Sequence, residues 1–130
     1  MDEFALEKKI YYHDTDCGGV VYYANYLKYC EEARTELFAS MGIDLRELSE
    51  KGLVFVVARV EIEYKAPVRY QDRIRILTSI DETRAASIRF LQRVFRGETL
   101  AAEAKTTIVS VGRNLRPVAM PEEIAQRLKP

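Results

Sequence analysis

From His13 to Tyr26 the chain reads His-Asp-Thr-Asp-Cys-Gly-Gly-Val-Val-Tyr-Tyr-Ala-Asn-Tyr. Two carboxylates, two glycines and a cluster of phenols lie between an alternating apolar segment and a long helical pattern. A strand-to-helix junction suits polar chemistry, because a helix start offers unpaired N–H donors and partial positive charge. A carbonyl oxygen could rest on those donors while a carboxylate, Asp16, faces its carbon directly or through water. That arrangement supports acyl transfer on an activated acyl group such as a thioester.

Other chemistries fit less well. Asp14, Asp16 and Gly19 match positions 1, 3 and 6 of a calcium loop, but Gly18 and Asn25 stand where ligands 5 and 12 are required. The ligand count fails. His13 is the only histidine, and Cys17 and Cys30 lack paired-ligand spacing, so neither a structural zinc site nor a histidine-dependent triad is supported. Gly18-Gly19 is followed by Val20, with no Lys-Ser/Thr after it, and makes no phosphate loop. The plainer reading of both acids is that they close a turn by accepting backbone N–H groups. On the residues alone, turn and acyl transfer both stay open. Tyr11, Tyr12, Tyr22, Tyr23, Tyr26 and Tyr29 are expected chiefly to pack.

The elements that must position this stretch follow from periodicity. Phe4 to Tyr12 alternates through Phe4, Leu6, Ile10 and Tyr12, interrupted by Lys8, and predicts a strand. From Ala24 to Met41 the period becomes helical: Tyr26, Cys30, Ala33, Leu37 and Met41 form a stripe widened by Leu27 and Phe38. Gly42 stops it. Asp44 and Glu47 have capping-box spacing for a short helix ending at Gly52. Val54, Val56, Ala58, Val60, Ile62 and Tyr64 then predict a strand with that set in the core. Ile74 to Ile80, Ala86 to Arg96 and Thr99 to Val111 predict three more, the last two joined by a tight turn at Arg96-Gly97-Glu98. After a turn through Asn114 and Pro117, Pro121-Glu122-Glu123 predicts a short terminal helix. Short connections make sequential strands antiparallel neighbours, and one long helix facing them gives an α+β roll.

The chain of 130 residues is one domain, residues 1–130, long enough to bury a core. Twenty basic and twenty acidic residues cancel, so bulk charge argues for neither nucleic acid nor an anionic membrane. The start, Met1-Asp2-Glu3-Phe4, lacks an apolar signal core, and no segment has the roughly 20 apolar residues of a membrane span. Two cysteines are no disulfide framework, and a cytoplasmic setting is expected.

Tyr12 to Tyr26 resembles the signature of the hot-dog acyl-CoA thioesterases, above all the YbgC-type group related to 4-hydroxybenzoyl-CoA thioesterase. The likeness continues through Glu31-Glu32-Ala33-Arg34-Thr35-Glu36, Phe55-Val56-Val57 and Glu63-Tyr64-Lys65-Ala66-Pro67, nearly the whole chain. It implies a five-stranded antiparallel sheet wrapped around one long helix. Protomers would pair into a continuous sheet with sites at the interface, and two dimers would form a homotetramer.

The implied catalytic carboxylate is Asp16, and the carbonyl-polarising N–H is that of Tyr23. Gly19, Val20, Tyr22, Asn25 and Glu31 would contact substrate, and no cofactor or metal is called for. Arg59 or Arg96 would meet the phosphates of coenzyme A. Acyl-CoA is the implied substrate, with acyl carrier protein thioesters a further possibility. Many YbgC-type relatives have His where this chain has Tyr23. A phenol of ordinary pKa about 10 is no imidazole base, so a His-assisted mechanism does not carry over. The rival from another class is a non-catalytic acyl-CoA-binding hot-dog module, for which Asp16 has no use. A hot-dog dehydratase would want a histidine in the site.

Overall fold

The computed structural model describes residues 3–130. Met1 and Asp2, where the acidic N-terminal segment begins, lie outside them. Strand β1 (Phe4–Lys9) leads through a short turn and loop into helix α1 (Asn25–Ser40) and the short helix α2 (Leu45–Glu50). Strands β2 (Val54–Tyr64), β3 (Arg73–Thr83), β4 (Ser87–Arg96) and β5 (Thr99–Val111) follow, and α3 (Glu122–Arg127) closes the chain. The five strands form one antiparallel sheet in the order β1-β3-β4-β5-β2. This is the expected hot-dog arrangement, with α1 against one face of the sheet.

Local chemistry accounts for most boundaries. Gly42 ends the α1 region at φ 74°, a left-handed conformation with no penalty for glycine. Asp44 caps α2 by accepting the Arg46 and Glu47 amides at 2.9 and 3.2 Å. Strand β1 stops earlier than its apolar alternation suggests. The chain turns at Tyr12–Asp14, and Tyr12 is exposed rather than inward-facing. Lys8, which breaks the β1 pattern, does sit on the inward side. Its ammonium reaches Glu32 at 3.1 Å and lies over the Tyr29 ring, so its stem packs while its charge is met. Leu27, expected to widen the buried stripe, is instead 42% exposed, while Tyr29, two positions on and roughly on the opposite side of the helix, faces the core.

The largest departure from expectation is in β2. Its register against β5 slips between Val57 and Arg59, leaving Ala58 as an extra residue. Cross-strand partners share a face. Phe55 and Val57 therefore lie over Ser110 and Ile108 on the core side, and Val60, Ile62 and Tyr64 over Thr106, Ala104 and Ala102. The alternating set is right beyond the bulge and inverted before it. Being an edge strand, β2 is only half covered: Val56, Val57 and Val60 remain exposed.

Two apolar clusters fill the space between α1 and the sheet. One, near the start of α1, gathers Ile10, Val21, Tyr26, Tyr29, Ala33, Val68 and Ile76. The other gathers Leu37, Phe38, Ile88, Phe90 and Ile108 with residues of α2 and α3. A polar layer separates them. Arg34 of α1, 8% exposed, donates to Gln92 Oε1 at 3.0 Å. Gln92 Nε2 in turn donates to the Cys30 carbonyl and to Thr78 Oγ1 at 2.9 and 3.0 Å. Gln92 is the period-two position between Phe90 and Val94, so its inward direction follows from the pattern. Burial pushes the Cys30 thiol up to about 11, which leaves it inert.

Removing one member of this layer strands another in a dry place. Gln92→Leu is expected to lower the unfolding free energy by about 2–4 kcal/mol, read from urea denaturation.

Candidate active site

The site is built on the loop between β1 and α1. After β1, the Asp14 amide donates to the Tyr11 carbonyl and the Asp14 carboxylate accepts the Tyr11 amide at 2.8 Å, closing a tight turn. A second turn follows. Thr15 bridges Val21, the Asp16 amide donates to the Val20 carbonyl, and the Gly19 amide to the Asp16 carbonyl. Gly19 has φ 79°, which explains the residue type there. At Gly18 a Cβ would come within 3.2 Å of Asp16 Oδ1, so glycine lets the carboxylate fold over its own turn. Gly18-Gly19 thus shapes a separate hairpin turn and does not itself open the helix. Val20 and Val21 then run beside Val68 and Arg69, and α1 begins at Asn25.

The two acids take different positions. Asp14 is 6% exposed. Its Oδ1 accepts the Tyr29 hydroxyl at 2.7 Å, and its carbonyl accepts both the Asn25 side-chain amide and the Tyr22 N–H. Burial alone would raise its pKa, but the Tyr29 and Tyr11 donors outweigh burial and hold it below the ordinary 3.8. The phenol of Tyr29 is pushed well up, first by burial and then by Asp14, so it stays a donor. Asp14 therefore belongs to the turn, as the plainer reading has it.

Asp16 is exposed, and its Oδ1 accepts the Gly18 amide at 2.8 Å. Its Oδ2 has no hydrogen-bond partner among the described residues.

At the start of α1 the first turn is tight. The Asn25 amide donates to the Tyr22 carbonyl and the Leu27 amide to that of Ala24. The Tyr23 and Ala24 amides find no acceptor among the described residues, as expected of first-turn donors. Tyr22 and Tyr23 are exposed, with ring centroids 4.9 Å apart. The Tyr22 phenol is raised above its ordinary pKa, chiefly by the adjacent Tyr23 hydroxyl and last by the Asp16 carboxylate. Asp16, Tyr22 and Tyr23 thus share one neighbourhood.

Beside them opens a cleft of about 320 Å³ lined by Val20, Val21, Tyr26, Tyr64 and Pro67 among others. Arg96 borders it by donating to the Pro67 carbonyl. Arg59 lies on the opposite face of the sheet, paired to Glu61 at 2.6 Å, and the protomer does not bring it to the loop. Glu31 is exposed further along α1. The Asn25 side chain is turned back to Asp14. His13 is exposed with its ring stacked on Tyr11. Among the described residues no group of three or more His, Cys, Asp or Glu side chains could hold a metal ion.

Two residues of this neighbourhood escape a reading by pattern. Tyr29 and Tyr64 both look like packing residues, yet each uses its hydroxyl, Tyr29 on Asp14 and Tyr64 on the Tyr23 carbonyl. The available signal is general: a tyrosine on a core face brings a polar tip that needs a partner.

Fold and site together define a hot-dog α+β protein with an exposed carboxylate beside a helix start. A sequence model described as the thioesterase-like superfamily matches residues 11–128. The acyl-CoA thioester hydrolase YbgC of Escherichia coli O6:H1 is 38% identical over 128 residues, covering 97% of this chain and 96% of that one. The acyl-CoA thioesterase YbgC of Haemophilus influenzae is 36% identical over 124 residues, covering 93% and 90%. Among solved structures, a hypothetical protein from Aquifex aeolicus superposes with a TM-score of 0.92 at 30% identity, covering 97% of this chain and 99% of that one. A point mutant of 4-hydroxybenzoyl-CoA thioesterase, complexed with 4-hydroxybenzoyl-CoA, gives 0.91 at 22% identity, covering 99% and 100%, and bears on the fold alone. The chain belongs to the thioesterase-like superfamily, in its YbgC-type group of thioester hydrolases.

The Asp14–Tyr29 bond has a testable pH signature. A carboxyl whose folded pKa is depressed adds stability above its unfolded pKa and loses it as pH falls through the folded value. Tyr29→Phe is expected to cost about 1.5–3 kcal/mol at neutral pH, since it removes a bond to a buried charge. That difference should shrink as pH drops below 3.8, where wild type loses the same contribution. Urea midpoints of both proteins between neutral and acid pH would show it.

Proposed function

We propose that the protein is an acyl-CoA thioesterase, converting an acyl-CoA and water to free acid and coenzyme A, with Asp16 as its catalytic carboxylate. One observation carries this reading: on one loop, Asp16 Oδ2 has no partner among the described residues, and the Tyr23 and Ala24 amides that lead into α1 are likewise unengaged. The thioester carbonyl oxygen would sit on the Tyr23 N–H, where the negative charge of the tetrahedral intermediate develops and is met. Asp16 would either attack the carbonyl carbon, expelling the thiolate and leaving an anhydride for water to cleave, or take a proton from the attacking water. The departing sulfur takes up a proton as coenzyme A leaves. Both routes need the carboxylate and neither needs an imidazole, which accommodates Tyr23 in place of histidine.

The cleft beside Val20 and Val21 would take the acyl end and the pantetheine arm. Gly19 leaves room over the loop, since nothing stands within 4 Å of where its side chain would begin. Tyr22, Asn25 and Glu31 would complete the substrate's surroundings. Of the two candidate phosphate partners, Arg96 is the one already at the cleft. Arg59 would act only in the assembled oligomer. The names of the Escherichia coli and Haemophilus influenzae relatives support coenzyme A as the thiol carrier. Both cysteines are unpaired, which suits a reducing cytoplasm.

Assembly belongs to the same reading. The β2 edge leaves its ladder groups open and its valines exposed, and pairing edge to edge with a second copy would satisfy both. Two such dimers would then form the tetramer.

Thiol release across short-chain, long-chain and aromatic acyl-CoAs tests the activity. Asp16→Asn is expected to lower kcat by at least about 10²-fold, with KM and melting temperature preserved. Wild-type turnover by that variant would sink the mechanism. Tight acyl-CoA binding without turnover in the wild type would favour the non-catalytic module. Val57→Lys, which places a charge on the exposed edge, is expected to shift sedimentation toward the monomer and to lower activity about tenfold or more.

A further inference from the structure

We propose that Tyr64 is a positioning residue of the thioester site: its hydroxyl, donated to the Tyr23 carbonyl, sets the peptide plane that carries the Ala24 N–H. The role rests on the thioesterase reading above.

Tyr23 stands just before the helix N-cap, Ala24, so its carbonyl lies outside the helical ladder. The Leu27 amide donates to the Ala24 carbonyl, and no backbone donor among the described residues reaches the Tyr23 carbonyl. Tyr64 takes the vacancy at 2.9 Å. The bond reaches from the end of β2 to the first turn of α1, a separation of 41 residues. The Tyr64 ring is braced on both sides, meeting Tyr23 edge-on at 6.3 Å and Tyr26 at 5.3 Å. It also lines the cleft beside the Asp16 loop.

The consequence is local and directional. The Tyr23 carbonyl and the Ala24 N–H belong to one peptide group. A donor on the oxygen fixes the plane of that group and polarises its N–H, because hydrogen bonds through one amide reinforce each other. The Ala24 N–H is, with that of Tyr23, one of the two unengaged amides at the helix start, so it is a second donor within the site that the thioester oxygen could use. Burial first, and then Tyr23, raises the Tyr64 phenol above its ordinary pKa, which keeps it protonated as a donor. The Tyr64 hydroxyl is committed to the Tyr23 carbonyl, and phenylalanine would keep the ring that lines the cleft, so loss of the hydroxyl would fall on the readiness of the amides and not on substrate affinity.

The test compares wild type and Tyr64→Phe in acyl-CoA hydrolysis, with the ¹⁵N–¹H signal of Ala24 followed by NMR. Expected are a fall in kcat of roughly tenfold, KM within about twofold, and a displaced Ala24 signal. The melting temperature should move by no more than about 5 °C. A residue that merely packs would leave kcat and the Ala24 signal in place. Unchanged kcat in Tyr64→Phe, with wild type active, overturns the role and leaves the thioesterase reading standing. Absence of wild-type turnover on any acyl-CoA removes the reading, and the role with it.

If Tyr64→Phe loses its fold, 3-fluorotyrosine at position 64 decides, since it keeps the ring and strengthens the donor. The Ala24 signal should then move opposite to the loss of the bond. An unmoved signal overturns the proposal.

Discussion

The buried carboxylate of Asp14 ties the end of the first strand to the start of the long helix, and the loop that carries Asp16 hangs between those two anchors. Its oxygens are engaged by Tyr29 and by the Tyr11 amide, while its carbonyl takes Asn25 and the Tyr22 amide. A charge so nearly dry is tolerable only when its donors are all in place. That demand fixes the geometry. Tyr29 must stay on the inner face of α1, and Lys8 over its ring must find Glu32. Asp16, two residues on, is then delivered to the surface with one oxygen held by its own turn and the other facing outward. One acid is used to build, which leaves its neighbour available for chemistry.

The helix meets the sheet in two apolar patches. Its two apolar clusters do not fuse, because Arg34, Gln92 and Thr78 occupy the layer between them. The cluster nearer the Asp16 loop holds two tyrosines, Tyr26 and Tyr29, among its aliphatic side chains, whereas the far one, capped by α2 and α3, has none. Tyr29 suits the first because its hydroxyl serves Asp14 while its ring fills the core. Apolar packing suffices at the other end, where no polar group of the site must be held.

Much of this was legible in the chain itself. Strand β5 matches its apolar run from Thr99 to Val111, and α1 matches its stripe within a residue at each end. Gly42 and Asp44 act as their types suggest. What escaped has physical causes. A bulge costs only one unpaired residue, and Ala58 carries no mark of it, so the two halves of β2 could not be told apart by alternation. Arg34 was hidden because charge ordinarily signals solvent, and only a glutamine on a strand 58 residues away makes its burial tolerable. Strand order depends on pairings between distant segments, which periodicity does not carry. The distinction between Asp14 and Asp16 depended on which of them Tyr29 could reach.

The restraints on the loop that carries Asp16 also say when it can exist. Val21 is held by Val68, Val20 by Arg69, β1 by β3, and the Tyr23 carbonyl by a residue 41 positions later. None of these partners is close in the chain. During synthesis the loop therefore leaves the ribosome long before the segment that shapes it, and only emergence of β3 supplies the missing half. Contacts of such long sequence separation slow folding, since the loop entropy is lost before the contacts form. Site and sheet should mature in a single late event.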